Sequence, residues 1–184
     1  VWWNALSSGS VVHTGTSLTQ NFNTGSLNFF VEAYGFIQTL FAGYLDNSAG
    51  GTSAGFSDSR GLVFNALSTI SLDSVSVYIT ANVSFNIELR NSANAVLQTK
   101  SFNLTGTGLK RIPLEIFVPA GTGYRLVINN RVGGSLFYRN TGATFPLSNA
   151  SMNITSSIIN TTINSTTYYY LYNIRVSKLS CQSS

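Results

Sequence analysis

Six acidic side chains, one histidine and one cysteine are the residues from which a carboxylate pair, a histidine-dependent triad or a metal site would have to be built. The acids are Glu32, Asp46, Asp58, Asp73, Glu88 and Glu115. Glycoside hydrolysis needs two carboxyl groups held roughly 5 to 9.5 Å apart. Asp73, Glu88 and Glu115 instead alternate with apolar neighbours, a period of two that puts each on the solvated face of a sheet. A Ser-His-Asp triad would have to use His13, the sole histidine, and no cysteine lies near it. The one G-x-S-x-G run, Gly51-Thr52-Ser53-Ala54-Gly55, lies in a polar stretch and opens no helical pattern, so it is no nucleophile elbow. His13 and the distant Cys181 cannot make a zinc site. The glycine-rich segments do not follow a strand and open a helix, so they do not cradle phosphate. The sequence therefore predicts a non-catalytic chain.

Two binding chemistries fit better. Asp46, Asn47 and Asp58 lie in a polar stretch whose carboxylate, amide and carbonyl oxygens suit a hard cation, which makes a structural calcium possible. The same residues are also good turn formers, and no D-x-[DN]-x-[DN]-G loop is present. Sugar recognition needs flat rings beside hydrogen-bonding side chains, because the C–H faces of a sugar pack on π surfaces. Tyr138, Arg139 and Asn140 supply that mixture. So does the run Tyr168-Tyr169-Tyr170-Leu171-Tyr172, where strand alternation predicts that Tyr169 faces opposite to the other three tyrosines. The competing reading is that these tyrosines stabilise cross-strand pairs or the core.

The elements that must position these groups are strands. Alternation runs through Ile70–Leu72, Val75–Ile79, Phe85–Leu89, Ile112–Val118 and Tyr124–Ile128, with further candidates at 61–65, 95–104, 135–138, 152–154 and 168–176. In 112–118 one face is aliphatic throughout, and Pro113 on the other predicts an edge position or a strand start. Turn residues separate the runs at Asn91–Asn94 and Pro119–Gly123. The signal fades between Gly43 and Arg60, which reads as a long surface loop or the linker-like start of the main domain, and between Ser156 and Thr167, which reads as a loop or an irregular edge. Short strands without interleaved helices predict an all-β fold, an antiparallel β-sandwich that is jelly-roll-like.

Composition narrows the setting. The chain of 184 residues is 43% hydrophobic but only 9% charged, against roughly 25% in average soluble domains. No run reaches the roughly 18 apolar residues of a spanning helix, so the chain reads as not membrane-spanning. Its polarity comes from Ser, Thr and Asn, a composition that predicts a secreted, extracellular protein. The net charge of +4 arises from single basic residues such as Arg60, Arg90, Arg125, Arg131, Arg139 and Arg175, with one pair at Lys110-Arg111. Nucleic-acid binding, which concentrates such residues on a face, is not predicted. The lone Cys181 provides no disulfide framework. The opening Val1-Trp2-Trp3 carries no leader pattern and reads as the start of an interior segment.

Two sets of motifs resemble known modules. The segment from Trp2-Trp3-Asn4-Ala5 through His13-Thr14-Gly15-Thr16-Ser17 to Phe29-Phe30-Val31-Glu32-Ala33 resembles the second half of an Ig-like repeat. That family reads W-[WY]-[DN]-A, then T-G-x-[ST], then Y-Y-V-E-A. Arg60-Gly61-Leu62-Val63-Phe64-Asn65-Ala66, Leu72-Asp73-Ser74-Val75, Ile87-Glu88-Leu89-Arg90-Asn91 and Leu136-Phe137-Tyr138-Arg139-Asn140 resemble a β-sandwich module of the same large proteins. These are surface proteins and adhesins exported by the type IX secretion system of gliding bacteria. The resemblance implies a partial Ig-like repeat over 1–34, a sandwich module over 35–180 and the start of a next repeat at 181–184. It also implies a non-catalytic module of a cell-surface adhesin or filament with neighbouring repeats as partners, either spacing them out and attaching to surfaces or, on the Tyr138, Arg139, Asn140 and Tyr169 chemistry above, binding surface glycans.

Overall fold

The computed structural model describes residues 2–4, 10–14, 28, 30–31, 34–48 and 51–181. Every regular element among them is a strand. Three short ones, β1 (Trp2–Trp3), β2 (Val11–His13) and β3 (Phe30–Val31), form an antiparallel sheet of their own in the order β2-β1-β3. The rest of residues 1–33, and residues 182–184, lie outside the described residues, and with them most of the expected Ig-like portion and of the next repeat.

The remaining strands are β4 (Tyr34–Ala42), β5 (Gly51–Ala54), β6 (Arg60–Ala66), β7 (Ile70–Ile79), β8 (Val83–Arg90), β9 (Val96–Leu104), β10 (Gly108–Val118) and β11 (Gly121–Gly133). They continue as β12 (Leu136–Arg139), β13 (Leu147–Ser148), β14 (Met152–Ile159), β15 (Thr162–Asn164), β16 (Tyr168–Tyr169) and β17 (Tyr172–Cys181). In one sheet the principal order is β4-β17-β7-β10, and Ile79 at the end of β7 bridges Leu136 of β12, which also carries β5 and β16. In the other it is β14-β6-β11-β8-β9, with β13 and β15 on β14. All pairings are antiparallel. The chain alternates between sheets as it passes from β4 to β6, β7, β8, β10, β11 and β17. Orders β4-β17-β7-β10 and β6-β11-β8-β9 are those of an eight-stranded jelly roll, here widened by β14.

The alternation that marks the strands also builds the core. Ile112, Leu114, Ile116 and Val118 point inward from β10, facing Leu62, Phe64, Ile87, Leu89, Leu126 and Ile128 of the opposite sheet, all buried in one cluster. Strand β10 pairs with β7 alone, the edge position that Pro113 requires. At Gly61 the β6 backbone comes so close to β11 that a Cβ would stand 2.6 Å from the Cα of Val127 and nearer still to the Leu126 carbonyl. A side chain there would force the pair apart.

Three expectations change. Residues 43–60 contain β5, which pairs with β12, and the turn after it is tied down by Arg131, which donates to the carbonyls of Gly55 (2.6 Å) and Phe56 (3.0 Å). Residues 156–167 hold the end of β14 and a hairpin to β15, which pairs with β14 alone, so of the two readings the edge stands and the loop does not. Glu88 leaves the solvated class: it is buried, accepting from Arg90 Nε at 2.7 Å and Asn129 Nδ2 at 3.2 Å. Those donors satisfy a carboxylate that burial would otherwise penalise by several kcal/mol. No helix among the described residues is long and apolar enough to cross a membrane.

Candidate functional site

The aromatic residues singled out in the sequence come together, Tyr168, Tyr169, Tyr170 and Tyr172 inside the molecule and Tyr138 half-buried against them. Tyr138 and Tyr169 are register partners across β12 and β16, their rings stacked 5.5 Å apart at 25°. Phe56 and Tyr170 pack edge-on to Tyr138 at 5.3 and 6.3 Å. Tyr169 is only 3% exposed, so its ring belongs to the core and not to a binding platform. Simple alternation fails because Tyr170 adopts a positive φ of 63°, which turns the chain between β16 and β17 and buries Tyr168, Tyr169, Tyr170 and Tyr172 together. Burial pushes the hydroxyls of Tyr168, Tyr170 and Tyr172 well above the ordinary phenol range. Arg139 places its guanidinium carbon 4.4 Å from the Tyr44 ring centroid and donates from Nε to the Thr141 carbonyl at 3.2 Å. Asn140 is exposed beside it.

The cation candidates take separate partners. Both Asp58 oxygens accept from Arg60, at 2.7 and 3.0 Å. Asp46 Oδ1 accepts from the N–H of Ser48 at 2.9 Å and from its hydroxyl at 2.5 Å, bonds that hold this exposed carboxyl below the usual range. Asn47 follows Asp46 and is half-buried. Among the described residues no three His, Cys, Asp or Glu side chains gather in a way that would hold a metal.

A different surface has the composition of a site. Across the outer face of β4-β17-β7-β10 runs a groove of about 480 Å³ lined by Thr39, Ser71, Asp73, Glu115, Arg175 and Ser177. Each of the four strands contributes to it because alternate residues of a strand share a face. Ser177 is the register partner of both Thr39 and Ser71, and Arg175 is the partner of Phe41. Phe41 therefore stands on the same face at the β4 rim, and it is 59% exposed.

Irregular pairing shapes the floor of this groove. Pro113 pairs with Ser74 and Ile116 with Leu72, so Leu114 and Glu115 of β10 oppose Asp73 alone. On the other side Arg175 pairs with Ser74 and Val176 with Leu72, again leaving Asp73 unmatched. Such bulges re-aim side chains, and they are common beside functional sites. Glu115 has a positive φ of 51° in this bulge, a conformation that costs a residue with a side chain about 1–2 kcal/mol.

The polar groups of the groove are unequally engaged. Ser177 Oγ donates to Asp73 Oδ2 at 2.6 Å, and Arg175 Nε lies 3.6 Å from the same oxygen. The Arg175 side chain is half exposed, and its other N–H groups have no partner among the described residues, nor has the Glu115 carboxylate. Arg111 is fixed next to the groove: it donates to Ser74 Oγ at 2.9 Å, to Ser76 Oγ at 3.0 Å and to the Asn173 carbonyl. Burial, and after it the charge of Arg175, lower the Arg111 pKa from the ordinary arginine value.

Sequence reasoning put Asp73 and Glu115 on a solvated face, and both line the groove. It missed Phe41, Arg175 and Ser177 as site residues. The available signal was the alternation of Arg175 and Ser177 with the apolar Ile174 and Val176. What brings Phe41 to them is register between the first and last strands of the sandwich. No family model, curated protein or solved structure matches the chain.

Proposed function

We propose that this chain is a non-catalytic, carbohydrate-binding module of a secreted cell-surface adhesin, held between neighbouring repeats of the same polypeptide. The observation that carries the reading is the outer-face groove. An exposed ring, Phe41, stands at its rim beside a guanidinium with free donors and carboxylates with free lone pairs. Sugars are held by that combination of a flat apolar surface and a few placed polar groups. The low charge and the abundance of Ser, Thr and Asn support export, and the resemblance to type IX-secreted modules supports adhesion. The scattered basic residues speak against nucleic acid as the partner.

The test is a glycan array probed with this chain and with Phe41→Ala, extended polysaccharides included. Binding by the parent chain and its loss in the variant are expected. Uniform silence on extended polysaccharides sinks the reading and leaves a spacer between repeats, which the packed sandwich would also serve.

A further inference from the structure

We infer that the groove takes an acidic polysaccharide, with a uronic-acid ring stacked on Phe41 and its carboxylate paired with Arg175. The inference rests on the carbohydrate-binding reading of the same groove and goes on to name the sugar class.

Phe41 and Arg175 are directly opposed across an antiparallel pair, which sets their Cβ atoms about 4.5–5.5 Å apart. A pyranose lying on the Phe41 ring therefore has the guanidinium at its edge. A carboxylate borne on the sugar ring meets it there with two charged acceptor oxygens, where a hydroxymethyl group offers a single neutral one. A guanidinium recognises a carboxylate through two parallel N–H···O bonds, roughly twice as strong as neutral ones. Arg175 has the donors for this, because its 3.6 Å approach to Asp73 uses only Nε.

The charges around the groove are directional. Arg111 reaches across from β10, its guanidinium tied to Ser74, Ser76 and the Asn173 carbonyl, and adds positive charge beside Arg175 without competing for the ligand. The single carboxylate near them, Asp73, already accepts from Ser177. Toward β10 stands Glu115, with no protein partner among the described residues, an acceptor for sugar hydroxyls. The exposed ring and the free guanidinium are thus together at one end, and the free carboxylate is at the other. A cationic amino sugar placed against Glu115 would lie away from Phe41. The four strands set the two ends about 14 Å apart, so the ligand that engages both is a chain of sugars rather than one.

The experiment is calorimetric titration of the intact chain with galacturonic acid oligosaccharides, and with the same oligosaccharides after their carboxyl groups have been reduced to alcohols. Reduction is expected to weaken binding about tenfold, the scale of one charge-assisted contact. Arg175→Ala should abolish the difference between the two ligands, while Phe41→Ala should weaken both. Arg175→Lys, which keeps the charge but not the paired donors, should recover only part of the preference, and thermal melts of each variant check that it is folded. Equal affinity for native and reduced oligosaccharides, or tighter binding of glucosamine oligosaccharides, overturns the acidic class while the carbohydrate-binding reading stands. Silence toward all of these and toward neutral polysaccharides removes that reading, and the inference with it.

Discussion

The guanidinium carbon of Arg60 stands 3.2 Å from the centroid of the Phe56 ring, while the same group donates to both oxygens of Asp58 and to the Tyr169 hydroxyl. Phe56 in turn packs edge-on against Tyr138 and Tyr169. One side chain thus closes the aromatic cluster on the side of the turn before β6 and neutralises a partly buried carboxylate. Its side chain is only 13% exposed, so truncating it strands Asp58 and uncovers rings at the same time. Arg60→Ala should lower stability by about 3 kcal/mol, the low end for breaking a buried pair. Urea unfolding with an unchanged slope checks this. A loss below about 1 kcal/mol would show the pair to be a solvated surface contact.

The pairing of Asp58 with Arg60, and of Asp46 with Ser48, bears on calcium. A cation present at a hundredfold its dissociation constant adds about 2.7 kcal/mol to stability. In a chain of this length that raises the melting temperature by roughly 5–10 °C. Melts with calcium and with a chelator are expected to coincide within about 1 °C. A rise of the larger size, removed by Asp46→Asn or Asp58→Asn, would assign these residues to a metal after all.

Alkaline pH should unfold the protein through its buried tyrosines. An ordinary phenol ionises near 10.0, whereas burial raises Tyr168, Tyr170 and Tyr172 above that value. From about pH 10 upward the unfolded chain sheds three protons that the fold retains. Stability is therefore complete below that pH and falls as pH rises toward the folded values, by about 1.4 kcal/mol per pH unit for each residue and about 4 for the three. Against a total of about 5–15 kcal/mol, collapse is expected from about pH 11 upward. Phenolate absorbance should show a fraction of the tyrosines, Tyr168, Tyr170 and Tyr172 among them, ionising only as the β-sheet circular dichroism is lost. Ionisation of all nine tyrosines along one curve, with the fold intact, would contradict their burial.

The strands were legible wherever side chains carry the alternation, as in Ile112, Leu114, Ile116 and Val118. They were hidden where backbone or polar chemistry replaces it. Along β14 the buried Ser157 satisfies its hydroxyl by donating to the carbonyls of Asn164 (2.9 Å) and Thr167 (2.6 Å), so a core position is filled by a residue that reads as loop. Tyr169 was misassigned for a conformational reason: only Tyr170, turning at positive φ, decides which way the run folds. Glu88 is buried because Asn129, remote in sequence, reaches it from β11. The groove is harder still to read. Its residues come from four strands that the jelly-roll order makes adjacent, and Phe41 meets Arg175 only through the pairing of β4 with β17. Local pattern can say that a residue points outward; it cannot say which distant residue points outward beside it.

Glu115 separates the demands of fold and groove. Its φ of 51° is one that glycine adopts freely, so Glu115→Gly relieves about 1–2 kcal/mol of backbone strain. Glycine also widens the unfolded ensemble, which takes back about 0.4–1 kcal/mol. The expected net effect is a stability equal to the parent chain's or up to about 1 kcal/mol higher. Glu115→Ala keeps the Cβ and its strain, and should leave stability unchanged. Both variants remove the free carboxylate at the β10 end, so both should weaken oligosaccharide binding by similar factors, about tenfold. A residue that gains stability while losing affinity when replaced is held in its conformation for the ligand. If Glu115→Gly instead loses more than about 1 kcal/mol, the side chain supports the β10 bulge itself, and the groove owes its shape rather than its chemistry to this residue.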